Sequence, residues 1–282
     1  MKKNVPNYTL DVKRYSLIIG WLYPELMNIY GDRGNIITLV KRCEWRGIKA
    51  KVVELNPEFD QKLLATCNLL VMGGAQDRQQ TIVNTDLKKK KLALTDVIEK
   101  GIPGLYVCGG FQFLGKYYKE ADGTIIDGLD IFDLYTENPG PSVPRLIGNI
   151  AVQPNFDILR VIPIRSGESR SKFSTSSNNK SVIVGFENHG GRTYLGKKID
   201  PMGKVIKGFG NNGNDQTEGA KYKNSFGTYM HGPVLPKNPH FADYLLKLAL
   251  ERKYPNIELQ VLDDTLEWQA HSTIAKRLRI EI

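Results

Sequence analysis

A cysteine set between a short apolar run and a pair of glycines gives this chain its most chemically suggestive segment, Gly104-Leu105-Tyr106-Val107-Cys108-Gly109-Gly110-Phe111-Gln112. The pattern reads as a strand that delivers Cys108 to a sharp turn, followed by residues able to start a helix. On such an elbow a thiol is held out for attack, small neighbours relieve crowding, and the helix N-terminus favours the thiolate. The same local pattern also fits a buried structural cysteine, the usual fate of a free thiol. Cys43, in a helical apolar face, and Cys67, at a strand entrance, read as structural.

A thiolate that attacks an amide needs N–H donors for the developing oxyanion and an acid to protonate the leaving amine. Gly73-Gly74 ends an apolar run and can present a backbone N–H at the carboxyl edge of a sheet, and the N–H of Gly109 can supply a second donor. Four histidines narrow the search for the acid and base. His231, in Gly227-Thr228-Tyr229-Met230-His231-Gly232-Pro233, and His189, in Phe186-Glu187-Asn188-His189-Gly190-Gly191, both follow strand candidates. His240 and His271 fall in helical patterns and read as surface or satisfied core residues.

The elements that must position these groups alternate in the first half of the chain. Strands are predicted at Tyr15 to Trp21, Lys49 to Glu54, Asn68 to Met72 and Gly104 to Val107, and helices after a cap at Asp32 and over Leu87 to Lys100. That order suits a mainly parallel sheet flanked by helices. In the second half, strands are predicted at Ile147 to Val152, Ser181 to Glu187, Lys204 to Phe209 and Phe226 to Tyr229, with helices over Asn238 to Lys253 and Asp263 to Arg279. Ser166 to Lys180 is dominated by Ser, Asn and charge and reads as a mobile insertion. The expected division is a domain over 15–255 carrying that insertion at 166–180, with a C-terminal helical extension over 256–282.

The chain has 282 residues, 41% of them hydrophobic and 9% aromatic, which indicates a globular protein rather than a disordered or fibrous one. The net charge of +9 selects no partner class, and the run Lys88-Lys89-Lys90-Lys91 reads as a solvated helix face. Three cysteines without a CxxC argue against a disulfide framework or a thiolate metal site. The first apolar stretch, Leu17 to Tyr23, is too short for a signal or a membrane span, so the expectation is a cytoplasmic protein.

Four segments taken in order carry a resemblance: the Val-Cys-Gly-Gly-Phe-Gln elbow, Gly-Gly-Ala-Gln-Asp-Arg, Phe-Glu-Asn-His-Gly-Gly-Arg-Thr and Gly-Thr-Tyr-Met-His-Gly-Pro. Together they resemble the class I glutamine amidotransferases of the cobyric-acid-synthase-like group, and within it the glutaminase subunits that serve lipid II amidation. The resemblance runs from about Leu17 to about Lys253 and implies an α/β, flavodoxin-like fold. It implies Cys108 as nucleophile, His231 as acid and base, Gly74 and Gly109 as oxyanion donors with Gly73 the alternative, and Arg145 as the residue holding the substrate L-glutamine. Without the resemblance, Arg145 is an ordinary loop arginine. Two positions depart from the pattern: Pro233 stands where many relatives carry a glutamate that orients the histidine, which suggests a dyad, and Tyr106 stands where many have glycine.

Gly110-Phe111-Gln112-Phe113-Leu114-Gly115-Lys116-Tyr117 comes close to a phosphate-binding loop, but a tyrosine replaces the magnesium-binding hydroxyl and the apolar residues suit a packed helix. No cofactor or metal is therefore expected on this chain. The resemblance puts ATP and Mg on a separate Mur-ligase-like partner, MurT, which would form a heterodimer with this chain and present lipid II near the inner face of the membrane. A glutaminase serving another acceptor, as in cobyric acid synthesis, is the first competing reading. Only residues 1–14 precede the first strand candidate, which favours the stand-alone subunit. A basic flavodoxin-like binding module for nucleic acid or anionic lipid is the second, and it leaves Cys108 without a role. No nucleic acid partner is expected.

Overall fold

In the computed structural model, residues 15–75, 77–161 and 181–280 are described. The expected insertion at 166–180 lies outside them. The organising element is a six-stranded sheet in which β1 (Ser16–Leu22), β2 (Lys49–Leu55), β3 (Leu69–Met72), β4 (Gly104–Val107) and β14 (Ser225–Thr228) run parallel in the order β14-β4-β3-β1-β2. The short β13 (Ala220–Tyr222) closes the β14 edge antiparallel. β3 and β4 are buried along their whole length, which explains why they read as continuous apolar runs rather than alternating ones.

Two further sheets complete the fold, and of their strands the sequence reading places β8, β9 and β11 but not the others. One is four-stranded, in the order β10-β7-β5-β6: β5 (Tyr117–Lys119), β6 (Ile125–Asp127), β7 (Leu134–Glu137) and β10 (Arg192–Leu195). The other is five-stranded, in the order β12-β11-β8-β9-β15: β8 (Leu146–Pro154), β9 (Ile183–His189), β11 (Gly203–Lys207), β12 (Thr217–Glu218) and β15 (Met230–His231).

Helix α1 (Arg33–Glu44) follows β1 and buries Ile36, Leu39 and Cys43. The helix expected over Leu87 to Lys100 is two helices, α2 (Asp77–Lys89) and α3 (Lys91–Glu99), and the break falls inside the lysine run. Lys90 is not on a solvated face. Its Nζ turns inward to Asp86 Oδ1 at 2.5 Å, both side chains being buried, while Lys88, Lys89 and Lys91 remain exposed. The short α4 (Gly109–Phe113) follows β4, and α5 (Pro239–Glu251) and α6 (Thr265–Arg277) close the chain. Gly110 to Tyr117 therefore spans a buried helix and a strand start, with Lys116 paired to Asp133, and forms no phosphate cradle.

The C-terminal helix is tied back to the core by charge. Arg42 on α1, almost fully buried, donates to both oxygens of Asp243 on α5 and both of Asp264 before α6 at 2.6–3.0 Å. Removing one member of a buried ion network leaves the others uncompensated. Arg42→Met is expected to lower unfolding stability by roughly 3 kcal/mol in urea denaturation, with α6 the first element to lose hydrogen-exchange protection.

Candidate active site

The carboxyl ends of β1, β3, β4 and β14 meet at one edge of the parallel sheet, where open α/β folds place their ligands. The segment after β4 is the elbow itself. Cys108 has φ 51° and ψ −108°, a left-handed conformation that a non-glycine residue holds only when its surroundings enforce it. Its N–H donates to Thr228 O at 2.8 Å, and its carbonyl receives Gln112 N–H at 2.9 Å. Gly110 must be glycine because a Cβ there would lie 2.9 Å from Gly73 O.

The segment after β14 brings His231 to the same place. The point where a Gly74 Cβ would stand is 3.1 Å from both Cys108 Cβ and His231 Cε1, so the missing side chain at Gly74 is the space the two share. His231 is fully buried. Burial pulls its pKa down, but negative charge on Cys108 and Asp32 outweighs this and pushes it up to about 10.

Asp32 is the residue that the sequence misplaces. It stands before α1 like a helix cap, yet its side chain caps nothing: Oδ2 accepts from Gly74 N–H at 2.9 Å and Oδ1 lies 3.5 Å from His231 Nδ1. The carboxylate expected two residues after the histidine is replaced by one arriving from β1's end of the sheet. Pro233 occupies the other position, packed over Gly34 in the first turn of α1. A cysteine sulfur, an imidazolium and a carboxylate in this order form a triad suited to acyl transfer rather than a bare dyad.

The expected oxyanion donor at Gly74 must also be corrected. Its N–H is committed to Asp32, and Gly73 O accepts from Gly110 N–H, so both ends of the Gly73–Gly74 peptide are engaged. The next peptide is different. Gly74 O accepts from Ile29 N–H at 3.3 Å, which in a trans peptide aims the Ala75 N–H the opposite way. Among the described residues that N–H and the Gly109 N–H have no acceptor, and the Ala75 nitrogen lies 3.4 Å from the point where a Gly109 Cβ would stand. The Ala75 and Gly109 N–H groups, rather than the engaged Gly74 N–H, are therefore the pair that the geometry leaves open beside Cys108.

A cavity of about 470 Å³ opens beside Cys108, lined among others by Tyr30, Ala75, Gln80, Gln112, Arg145 and Asn188. Arg145 reaches its rim. Its Nε donates to Asn188 Oδ1 at 2.9 Å and its Nη2 to Asn188 O at 3.0 Å, which fixes the guanidinium side-on and leaves the Nη1–Nη2 fork for a ligand. Asn188 in turn donates to Tyr30 Oη, and the Tyr30 ring lies edge-on to His231 with centroids 4.9 Å apart. Gln112 is held by Tyr229 Oη. No signal in a single sequence marks Asn188, Tyr30 or Gln80 as cavity residues, because each depends on a contact between distant elements.

The other candidates separate cleanly. His189 faces the same cavity but stacks on Tyr229, offers Nδ1 to Gly191 O, and is pushed down to about 4 by burial, so it stays neutral where His231 is charged. His240 and His271 are buried beside Trp268. Burial raises the thiols of Cys43 and Cys67 to about 12 and about 11, which keeps them unreactive. A larger open groove of about 1150 Å³ along α5 and α6 contains no thiol. Among the described residues no cluster of three or more His, Cys, Asp or Glu side chains could hold a metal, and no helix is long and apolar enough to cross a membrane.

Comparison with known proteins gives the family and the fold. Residues 18–239 match the CobB/CobQ-like glutamine amidotransferase domain. The chain is 41% identical to the lipid II isoglutaminyl synthase (glutamine-hydrolyzing) subunit GatD of Staphylococcus aureus, over 93% of this chain and 96% of that protein. It is 38% identical to the subunit of the same name from Streptococcus pneumoniae, over 89% of this chain and 88% of the relative. A probable cobyric acid synthase of Methanothermobacter thermautotrophicus is 31% identical over 59% of this chain but only 30% of its own length. A solved glutamine amidotransferase, 14% identical, shares the fold with a TM-score of 0.52 over 82% of this chain and 98% of its own. The chain belongs to the CobB/CobQ-like glutamine amidotransferase family.

Proposed function

We propose that this chain is the glutamine-hydrolysing subunit of a lipid II isoglutaminyl synthase. The observation that carries the reaction is the meeting of Cys108, His231 and Asp32 around the space left by Gly74, at the mouth of a cavity that Arg145 borders. The acceptor is argued from the two relatives that align along most of the chain and bear that name.

The Cys108 sulfur attacks the side-chain carbonyl carbon of L-glutamine, and the carbonyl oxygen takes negative charge between the Ala75 and Gly109 N–H groups. The His231 imidazolium gives its proton to the nitrogen as the C–N bond breaks, so ammonia leaves and a γ-glutamyl thioester remains. Neutral His231 then takes a proton from water, whose oxygen attacks the thioester, and glutamate departs as the sulfur is restored. Asp32 keeps His231 oriented and charged. The free fork of Arg145 pairs with the α-carboxylate of the substrate. Removing one oxyanion donor from an acyl-transfer site costs on the order of 100-fold in rate or more. Ala75→Pro, which lacks the N–H, is expected to show a loss of that size in kcat for glutamine hydrolysis.

The ammonia is consumed elsewhere. Amide formation on the D-glutamate α-carboxylate of lipid II requires an activated carboxylate, and a MurT-like Mur ligase with ATP and Mg is the partner that supplies it, in a cytoplasmic heterodimer. The test measures glutamine hydrolysis and lipid II amidation with and without that ligase. Amidation that needs both chains, glutamine and ATP supports the reading. Hydrolysis of glutamine with no amidated lipid II in the full mixture would instead favour another acceptor.

A further inference from the structure

We propose that Glu218 is a positioning residue for the reaction, a buried carboxylate that sets the spacing between the nucleophile and its acid and base. The inference rests on the roles proposed for Cys108 and His231. Glu218 sits on the two-residue strand β12 and is completely buried. Its Oε1 accepts two hydrogen bonds, from Thr228 Oγ1 at 2.7 Å and from Tyr229 N–H at 2.8 Å. Thr228 Oγ1 in turn accepts Met230 N–H at 3.0 Å. One carboxylate oxygen and one hydroxyl thus grip three consecutive residues.

Those residues are where the chain changes sheets. Thr228 is the last residue of β14 in the parallel sheet, and Met230 begins β15, which pairs with β9 in the five-stranded antiparallel sheet. A strand that leaves one sheet for another has no ladder to hold it at the crossing, so its polar backbone groups need partners from outside. Glu218 supplies them. Upstream of the crossing, Thr228 O holds the Cys108 N–H at 2.8 Å, and immediately downstream stands His231, whose backbone is paired with Phe186. The same three-residue grip therefore fixes the backbone beneath the sulfur and the backbone that carries the imidazole. A displacement of one ångström in a reacting pair can lower a rate by about 100-fold. A buried carboxylate facing Glu187 and His189, with no ion pair to Lys or Arg among the described residues, is an expensive way to cap a turn unless the geometry it enforces matters.

The test uses the full chain with Glu218→Ala, Glu218→Gln and Thr228→Val, and Cys108→Ala as the control. Glutamine kcat and KM are measured, together with the rate at which a small neutral alkylating agent labels Cys108 across pH. The glutamine side chain of Glu218→Gln keeps an acceptor oxygen and is expected to stay within about 3-fold of wild type, whereas Glu218→Ala and Thr228→Val lose about 10- to 100-fold in kcat with KM changed less than about 3-fold. Their Cys108 labelling profile should shift with pH, because the pairing of sulfur and imidazole is what the grip maintains. Thr228→Val is nearly isosteric and decides the matter if Glu218→Ala does not fold. The proposal is overturned if kcat in the folded variants stays within about 2-fold of wild type, or falls only in proportion to the folded fraction with an unchanged labelling profile. If Cys108→Ala itself still hydrolyses glutamine, the assignment of the nucleophile fails and the proposal falls with it. An inactive Cys108→Ala beside a normal Thr228→Val refutes only the grip.

Discussion

Cys108→Ala is expected to lower glutamine hydrolysis by about a millionfold, while leaving amidation by added ammonium intact in the complex with the ligase. The size follows from the role: when a covalent nucleophile is lost, only binding and oxyanion stabilisation remain, and comparable acyl-transfer sites lose about that much in kcat. The sparing of ammonium follows from the division of labour, since the acceptor chemistry is assigned to another chain. The structure also predicts that the change is local. Cys108 packs its Cβ against Gly74 and strains the backbone at φ 51°, so alanine removes the sulfur without adding volume, and the unfolding midpoint should move little. Ammonia released from glutamine at near the wild-type rate would show that another group attacks.

Asp32→Asn carries the second largest effect, a loss of about 1,000- to 10,000-fold in kcat by analogy with the orienting carboxylates of other triads. Asparagine can still face the Gly74 N–H, so the loop should keep its shape, and KM should change little because Arg145 and Gln112 are untouched. The pH dependence gives the sharper signature. Burial disfavours the charged form of His231, and the negative charges of Cys108 and Asp32 restore it, holding the pKa at about 10. With the Asp32 charge gone, the folded-state pKa drops, and the imidazolium that must give its proton to the departing amide nitrogen is lost at lower pH. The alkaline limb of the kcat profile should therefore move downward. A variant within about 3-fold of wild type, with an unmoved limb, would leave His231 without need of the carboxylate.

The parts of this site that the sequence exposes are those built from neighbours. The elbow at Cys108 is legible because strand, glycine pair and helix are consecutive, and His231 stands out because histidines are few and this one ends a strand. The parallel sheet follows from the same local alternation. What the sequence hides depends on contacts across the sheet. Asp32 reads as a helix cap because an acidic residue before an amphipathic helix usually is one. Only the arrival of Gly74 after β3 and His231 on β15 reveals that one of its oxygens holds a backbone N–H and the other faces the imidazole. The preference for the Ala75 N–H over the Gly74 N–H turns on the orientation of two adjacent peptide planes, which Asp32 and Ile29 hold and no composition records. Strands such as β12 and β15 are two residues long, too short to show any period, and Glu218 lies on one of them. Lys90 fails as a surface lysine because its partner Asp86 is one helical turn away on the inward face.

The covalent intermediate offers the most direct measurement of the central claim. The full chain, incubated with isotope-labelled glutamine and quenched in acid during turnover, is digested and its cysteine peptides are weighed. The account predicts that the peptide containing Cys108, and neither of those containing Cys43 and Cys67, gains the mass of one glutamyl group, and that hydroxylamine removes it. Steady hydrolysis of glutamine with no label on Cys108 at any quench time, and with the same rate in Cys108→Ala, would contradict it.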